Sequence, residues 1–177
     1  GSVYAMYCNG STSKLDCGNY DDLTGDKTFI AWIKPYSTGE IAGIIIANGD
    51  ASAGSGGMTF LALTSVTTLK LRLYSDASVA TYASSADDSI DFNVWQLVVG
   101  TREADGTANL YINGILSGSA DQDSTTPLAG ITNILIGNRD SDDRTFDGLI
   151  DGARIEDSIL STKQIMQIYT SEVGYYE

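Results

Sequence analysis

Short apolar segments separated by turn residues run along nearly the whole chain of 177 residues, and that spacing predicts strands rather than helices. Leu69, Leu71 and Leu73 alternate with Lys70, Arg72 and Tyr74, a half-buried strand with one polar face. Thr28–Lys34 carries Phe29, Ala31 and Ile33 on one parity and Ile30 and Trp32 on the other. Both of its faces are apolar, as a central strand requires, and Pro35 ends it. Val3–Cys8 and Lys14–Cys17 read as a first hairpin around Asn9-Gly10. Further strands are predicted over Gly43–Ala47, Met58–Thr64, Val79–Ala83, Val94–Thr101, Ala108–Asn113, Thr132–Gly137 and Phe146–Ile155. Asn48-Gly49-Asp50 stops the first of these, Ala51–Gly57 reads as a mobile loop, and Arg102–Gly106 reads as a hairpin turn with Asp-Gly at its tip. One late segment has a helical period. Ser161 with Gln164 three residues on is a capping box, and Ile165, Met166, Ile168 and Tyr169 form its apolar stripe. The prediction is an all-β, two-sheet antiparallel sandwich of jelly-roll type with one short C-terminal helix. It forms a single domain over 3–177, and Gly1-Ser2 reads as a cloning remnant.

Charge and composition narrow the chemistry. The net charge is −13, from 10 basic and 23 acidic residues, which argues against nucleic acid as a partner. No apolar run approaches the roughly 20 residues of a membrane span, so membrane insertion is not expected. Histidine is absent, which excludes Ser–His and Cys–His nucleophilic machinery. Hydrophobic residues at 42% with 19% charged describe an ordinary folded globule.

Two positions leave alternatives open. Within the predicted first hairpin Cys8 would pair opposite Leu15 and Cys17 opposite Met6, a same-face diagonal at the limit of disulfide geometry. The cysteines are then either bridged or two small hydrophobes. Asn9-Gly10-Ser11 matches an N-glycosylation pattern, and an Asn-Gly turn explains it equally well. Asp151 shares strand parity with Leu149, Ala153 and Ile155, and a carboxylate among such neighbours needs hydrogen bonds or a cation. It reads as a strand-end Asp satisfied by a loop amide, as a metal ligand, or as simply exposed.

Five segments in chain order carry a family resemblance: L-D-C-G (15–18); T-F-I-A-W-I-K-P (28–35); F-N-V-W-Q-L-V-V-G-T with A-N-L-Y-I-N-G-I-L (92–116); I-L-I-G-N-R-D (134–140); and F-D-G-L-I-D-G-A-R-I with its trailing S-I-L-S-T-K-Q-I (146–165). Together they resemble the laminin-G-like jelly rolls of the concanavalin A-like lectin/glucanase superfamily. The resemblance implies two sheets of antiparallel strands, one concave, with Trp32 and Trp95 in the core rather than serving as sugar platforms. It also implies a structural calcium held by Asn9, Gly25 and Asp151, with Asp16 and Asp26 as nearby alternates. Chelation would then lower the melting temperature. The chain departs from the family pattern at Gly152 and Ala153, and at Trp95-Gln96-Leu97, where relatives often carry Trp-His-His.

The superfamily's glucanases use a Glu-x-Asp-x-Glu strand to place paired carboxylates about 5–5.5 Å apart. The five glutamates here, Glu40, Glu103, Glu156, Glu172 and Glu177, form no such triplet, so the chain reads as non-catalytic. Sugar recognition needs an aromatic face and planar polar groups. The outward parity of Lys70, Arg72 and Tyr74, with Tyr82 on the next strand, supplies both. Asn48, Asn138 and Arg139 join them as candidate ligand contacts. Asn138–Arg144 is acidic and reads either as a solvated turn with Arg–Asp pairs or as a calcium or sugar contact. The sequence thus points to a carbohydrate-binding module for a glycan or polysaccharide, part of an extracellular, cell-surface or virion-surface protein. A structural or protein-interaction domain with a protein partner is the alternative.

Overall fold

The computed structural model describes residues 4–20, 25–48, 58–63, 67–74, 80–104, 106–121 and 133–177, with the backbone alone described at 58–62, 69–74, 80–82 and 121. Ala51–Gly57 lies outside the described residues. Among the described residues, twelve strands form two six-stranded antiparallel sheets. The first sheet has the order β1-β12-β3-β8-β9-β10, with β1 Met6–Asn9, β3 Lys27–Pro35, β8 Gln96–Arg102, β9 Thr107–Ile112, β10 Ile115–Asp121 and β12 Asp147–Glu156. The second has the order β2-β11-β4-β5-β6-β7, with β2 Leu15–Asn19, β4 Gly43–Asn48, β5 Met58–Leu63, β6 Leu69–Tyr74, β7 Ala80–Ser84 and β11 Asn133–Ile136. The helix α1 spans Thr162–Glu172.

Side-chain alternation explains the layering. Phe29, Ala31 and Ile33 of β3, Val98 of β8 and Leu110 of β9 meet Ile45, Ile46, Leu63, Ala83 and Ile134 of the second sheet in the main core. Each large aliphatic buried this way contributes about 1.5–3 kcal/mol. The other parity of β3, Ile30 and Trp32, points outward with Leu97, Val99 and Tyr111, and α1 covers it through the fully buried Ile165. The expected doubly apolar central strand is therefore realised: β3 lies between β12 and β8 with a core on each side. The capping box at Ser161 is formed in both directions.

Three expectations are corrected. The first hairpin does not exist as a paired unit. β1 pairs with β12 and β2 pairs with β11, so the Asn9-Gly10 turn carries the chain from one sheet to the other. The β10 strand, unpredicted because Ser117–Asp121 is small and polar, forms by pairing with β9. The β12 strand does not keep one parity from Leu149 to Ile155. A bulge between Asp151 and Arg154, with Gly152 at φ +56°, restarts the alternation, so Ala153 and Ile155 face the core while Asp151 faces outward.

Candidate functional site

The outer face of the second sheet is built by β6 and β7. Leu71 pairs with Ala83, which is buried in the core, and the adjacent pair is Arg72 with Tyr82. Alternation therefore sets Arg72 and Tyr82 on the opposite, outer face, side by side across the two strands. Lys70, opposite Ser84, and Tyr74, opposite Ala80, share that parity. The helix lies on the other sheet.

Register separates the remaining candidates from this face. Arg72 pairs with Thr59, and Thr59 with Ala47, so the row through Arg72 reaches β4 at Ala47. Asn48 is the next residue and takes the opposite parity, alongside its core partner Ile134, and its side chain is buried. Bulges at Ile44/Ile46 and Ile46/Ala47 set this parity. Asn138 is 0% exposed and engaged wholly within its own loop. Its Oδ1 accepts from the amides of Arg139 at 2.9 Å and Arg144 at 3.1 Å, while Nδ2 donates to Thr145 Oγ1 at 2.8 Å and Asp142 Oδ1 at 3.4 Å. Arg139 is buried and grips Asp143 with two bonds of 2.5 and 2.7 Å, which holds the Asp143 carboxyl below its ordinary value. The acidic loop is thus the ordered turn with Arg–Asp pairing, further tied by Lys14 to Asp142 at 2.8 Å. Of the six ligand candidates, the fold brings together Arg72, Tyr74 and Tyr82 and keeps Asn48, Asn138 and Arg139 away from them.

The three calcium candidates are not brought together. Asn9 pairs with Asp147, four residues along β12 from Asp151, or roughly 13 Å. Gly25 precedes Lys27, itself five residues along β3 from Trp32, the partner of Asp151, or roughly 16 Å. One calcium shell requires oxygens about 2.3–2.6 Å from a common centre. Each residue also has a local task. Asn9 Oδ1 accepts the amides of Ser11, Thr12 and Ser13, the Gly25 carbonyl accepts from Arg102 at 3.3 Å, and Asp151 accepts from Gly152 N and the Tyr176 hydroxyl. Asp16 accepts from Gly18 N and Asn133 Nδ2, and Asp26 from Ala104 N. Among the described residues no group of three or more His, Cys, Asp or Glu side chains gathers to hold a metal. The melting temperature is therefore expected to be the same in EDTA and in calcium buffer; a drop on chelation would establish a metal site the register does not assemble.

Both cysteines are free thiols, Cys8 on β1 in the first sheet and Cys17 on β2 in the second. Cys8 is buried, and burial with the nearby Asp147 carboxylate pushes its pKa up to about 11. Cys17 is exposed. A thiol reagent at pH 8 is expected to modify one cysteine of the native protein promptly and the second only after unfolding; two fast equivalents would show the β1 edge open.

The fold also assembles a cluster that sequence reasoning missed, on the outer face of the first sheet. Tyr176 stacks on Trp32 with centroids 4.2 Å apart and planes at 18°, and tilts against Trp95 at 5.0 Å. Tyr169 stacks on Trp32 at 5.9 Å. Trp32 Nε1 donates to Glu172 Oε2 at 2.6 Å, Arg154 Nη2 to Glu172 Oε1 at 3.2 Å, and the Tyr176 hydroxyl to Asp151 Oδ2 at 2.9 Å. Burial and that carboxylate raise the Tyr176 pKa well above the usual tyrosine value. Trp32 is buried as the family pattern implied, but beneath the helix rather than between the sheets. The only sequence signal was the run of Tyr169, Tyr175 and Tyr176 beside the outward parity of Trp32.

Comparison with curated proteins finds no match. Among solved structures, the CBM40 of Ruminococcus gnavus IT-sialidase bound to α2,3-sialyllactose aligns over 96% of this chain and 100% of its own, at 17% identity and TM-score 0.70. The binding domain of botulinum neurotoxin DC, in complex with rat synaptotagmin II, aligns over 86% of this chain at 17% identity and TM-score 0.65. A botulinum neurotoxin type C structure, described through interaction with two ganglioside molecules, aligns over 86% at 16% identity and TM-score 0.65. This chain spans 37% of each botulinum chain, and at these identities the likeness shows the fold. Residues 9–166 match the family profile Laminin_G_3, and with two facing antiparallel sheets and a capped C-terminal helix the chain belongs to the concanavalin A-like lectin/glucanases superfamily.

Proposed function

We propose that this protein is a non-catalytic, lectin-like binding module whose glycan face is the outer side of β6 and β7. The observation that carries the reading is the register pair Arg72–Tyr82, which sets a guanidinium-bearing residue beside an aromatic one, with Tyr74 two residues on and Lys70 two residues before. An aromatic ring takes the apolar face of a sugar, and a planar cation takes its hydroxyls or carboxylate. The sialyllactose bound by the R. gnavus CBM40 and the gangliosides of the type C neurotoxin support a glycan ligand for this sandwich. The absence of a Glu-x-Asp-x-Glu strand supports a role without catalysis. Among the described residues no helix is long and apolar enough to cross a membrane. The setting proposed is a larger extracellular, cell-surface or virion-surface protein.

A glycan array probed with the labelled protein, and repeated with Arg72→Ala and Tyr74→Ala, tests this. Hits are expected to weaken at least tenfold in each variant, about 1.4 kcal/mol. Hits that survive both would overturn the placement of the site. A protein partner is the second reading, supported by the synaptotagmin complex of the botulinum DC domain, and a blank array would favour it.

A further inference from the structure

We propose that Trp32, Trp95, Asp151 and Arg154 form a second sugar-binding cradle, on the opposite sheet from the Arg72 face, which the chain's own Tyr176 occupies in this structure. The slot has the parts a pyranose needs: Trp32 is its floor, Trp95 its tilted wall, and carboxylate and guanidinium groups stand at its rim. Tyr176 fills it as a sugar would. It lays a flat apolar ring on Trp32 and points one hydroxyl at Asp151 Oδ2.

The local backbone is shaped for this slot. The β12 bulge aims Asp151 and Gly152 toward the same side, and bulges commonly re-aim side chains beside sites. Gly152, at φ +56°, borders the slot: a Cβ there would stand 3.5 Å from Arg154 Nη1 and 3.8 Å from both Trp32 Cδ1 and the Tyr176 hydroxyl. Arg154 is already paired with Glu172 at 3.2 Å and Glu156 at 3.8 Å, and Asp151 adds a further carboxylate at the slot, so the cradle suits a neutral hydroxyl-rich sugar and disfavours an acidic one.

The occupant is held on the sheet by side-chain contacts, its stack on Trp32 and its hydroxyl on Asp151. Tyr176 follows a single 3-10 turn, Val173–Tyr175, whose backbone bond runs from Tyr176 N to Val173 O within the turn itself. Among the described residues no backbone hydrogen bond ties this turn to the first sheet. Tyr175, its neighbour, is exposed. A tethered competitor of this kind lowers apparent affinity by the fraction of molecules in which the slot is open.

Both tryptophans of the protein line the cradle and none lies on β6 or β7, so tryptophan emission reads this slot apart from the Arg72 face. The test titrates cellohexaose, xylohexaose and mannohexaose into the wild type, Tyr176→Ala, and Tyr176→Ala combined with Arg72→Ala. A saturable emission change with at least one hexaose is expected in Tyr176→Ala, with a Kd about tenfold or more below that of the wild type. The double variant is expected to bind as the single one does, which separates this site from the proposed glycan face. A folded Tyr176→Ala with no emission change for any hexaose overturns the cradle and leaves the Arg72 reading standing. If Tyr176→Ala does not fold, Tyr176→Phe carries the test, since it keeps the stack and frees Asp151. Tighter hexaose binding in Tyr176→Phe supports the cradle, and binding identical to the wild type overturns it.

Discussion

Trp32→Ala is expected to cost about 3–5 kcal/mol of folding stability, read as a fall in the urea midpoint at unchanged m-value. Trp32 is 1% exposed and joins the centre of the first sheet to the C-terminal helix. Its indole is the surface on which Tyr169 and Tyr176 stack, and its N–H meets Glu172 at 2.6 Å. Truncation leaves a cavity under α1 and removes one partner of the Glu172 carboxylate, which keeps only Arg154. Trp32→Phe preserves a ring but loses the N–H, so about 1–3 kcal/mol is expected. Trp95→Ala should cost less than Trp32→Ala, because Trp95 is only partly buried against the same cluster. A Trp32→Ala loss below about 1 kcal/mol would show that α1 is not coupled to the sheet through this residue.

Asn138→Ala is expected to cost about 2–4 kcal/mol while leaving glycan affinity unchanged below the melting transition. The side chain is fully buried and closes residues 138–145 into a ring by bonding Arg139 N, Arg144 N and Thr145 Oγ1. Removal leaves those amides without their acceptor beside β4, where Ile44 N donates to Arg144 O. Asn138→Asp is no rescue, since it places a charge where an amide donates to Thr145. The pairing of lost stability with retained binding is the diagnostic. Weakened glycan binding at full stability would instead make Asn138 a ligand contact, as its sequence position suggested.

Local patterns were legible where a local pattern decides the structure. The two apolar parities of Thr28–Lys34 identified the central strand, Ser161 with Gln164 identified the helix start, and the Leu69–Tyr74 alternation identified the face that carries Arg72. Asn9-Gly10 announced a reversal but not its destination. A returning strand buries the same apolar residues whether it pairs with its predecessor or crosses to the facing sheet, so pairing of β1 with β12 and β2 with β11 depended on partners far along the chain. The parity of Asp151 failed for a different reason: a bulge in β12 shifts the alternation by one residue and leaves no mark in composition.

What the sequence by itself determined was the all-β class, the family, the absence of histidine chemistry and the apolar–polar alternation of β6, because each follows from residue identity or from spacing within one strand. Only the tertiary structure decided that Asn138 and Arg139 are internal ties, that the calcium trio is dispersed, and that Trp32 lies under Tyr176. The contact from Trp32 to Glu172 spans 140 residues, and no periodicity encodes which outward side chain a distant tail will cover. Burial, register and the docking of α1 assign those partners, because they depend on where whole elements pack and not on any segment alone.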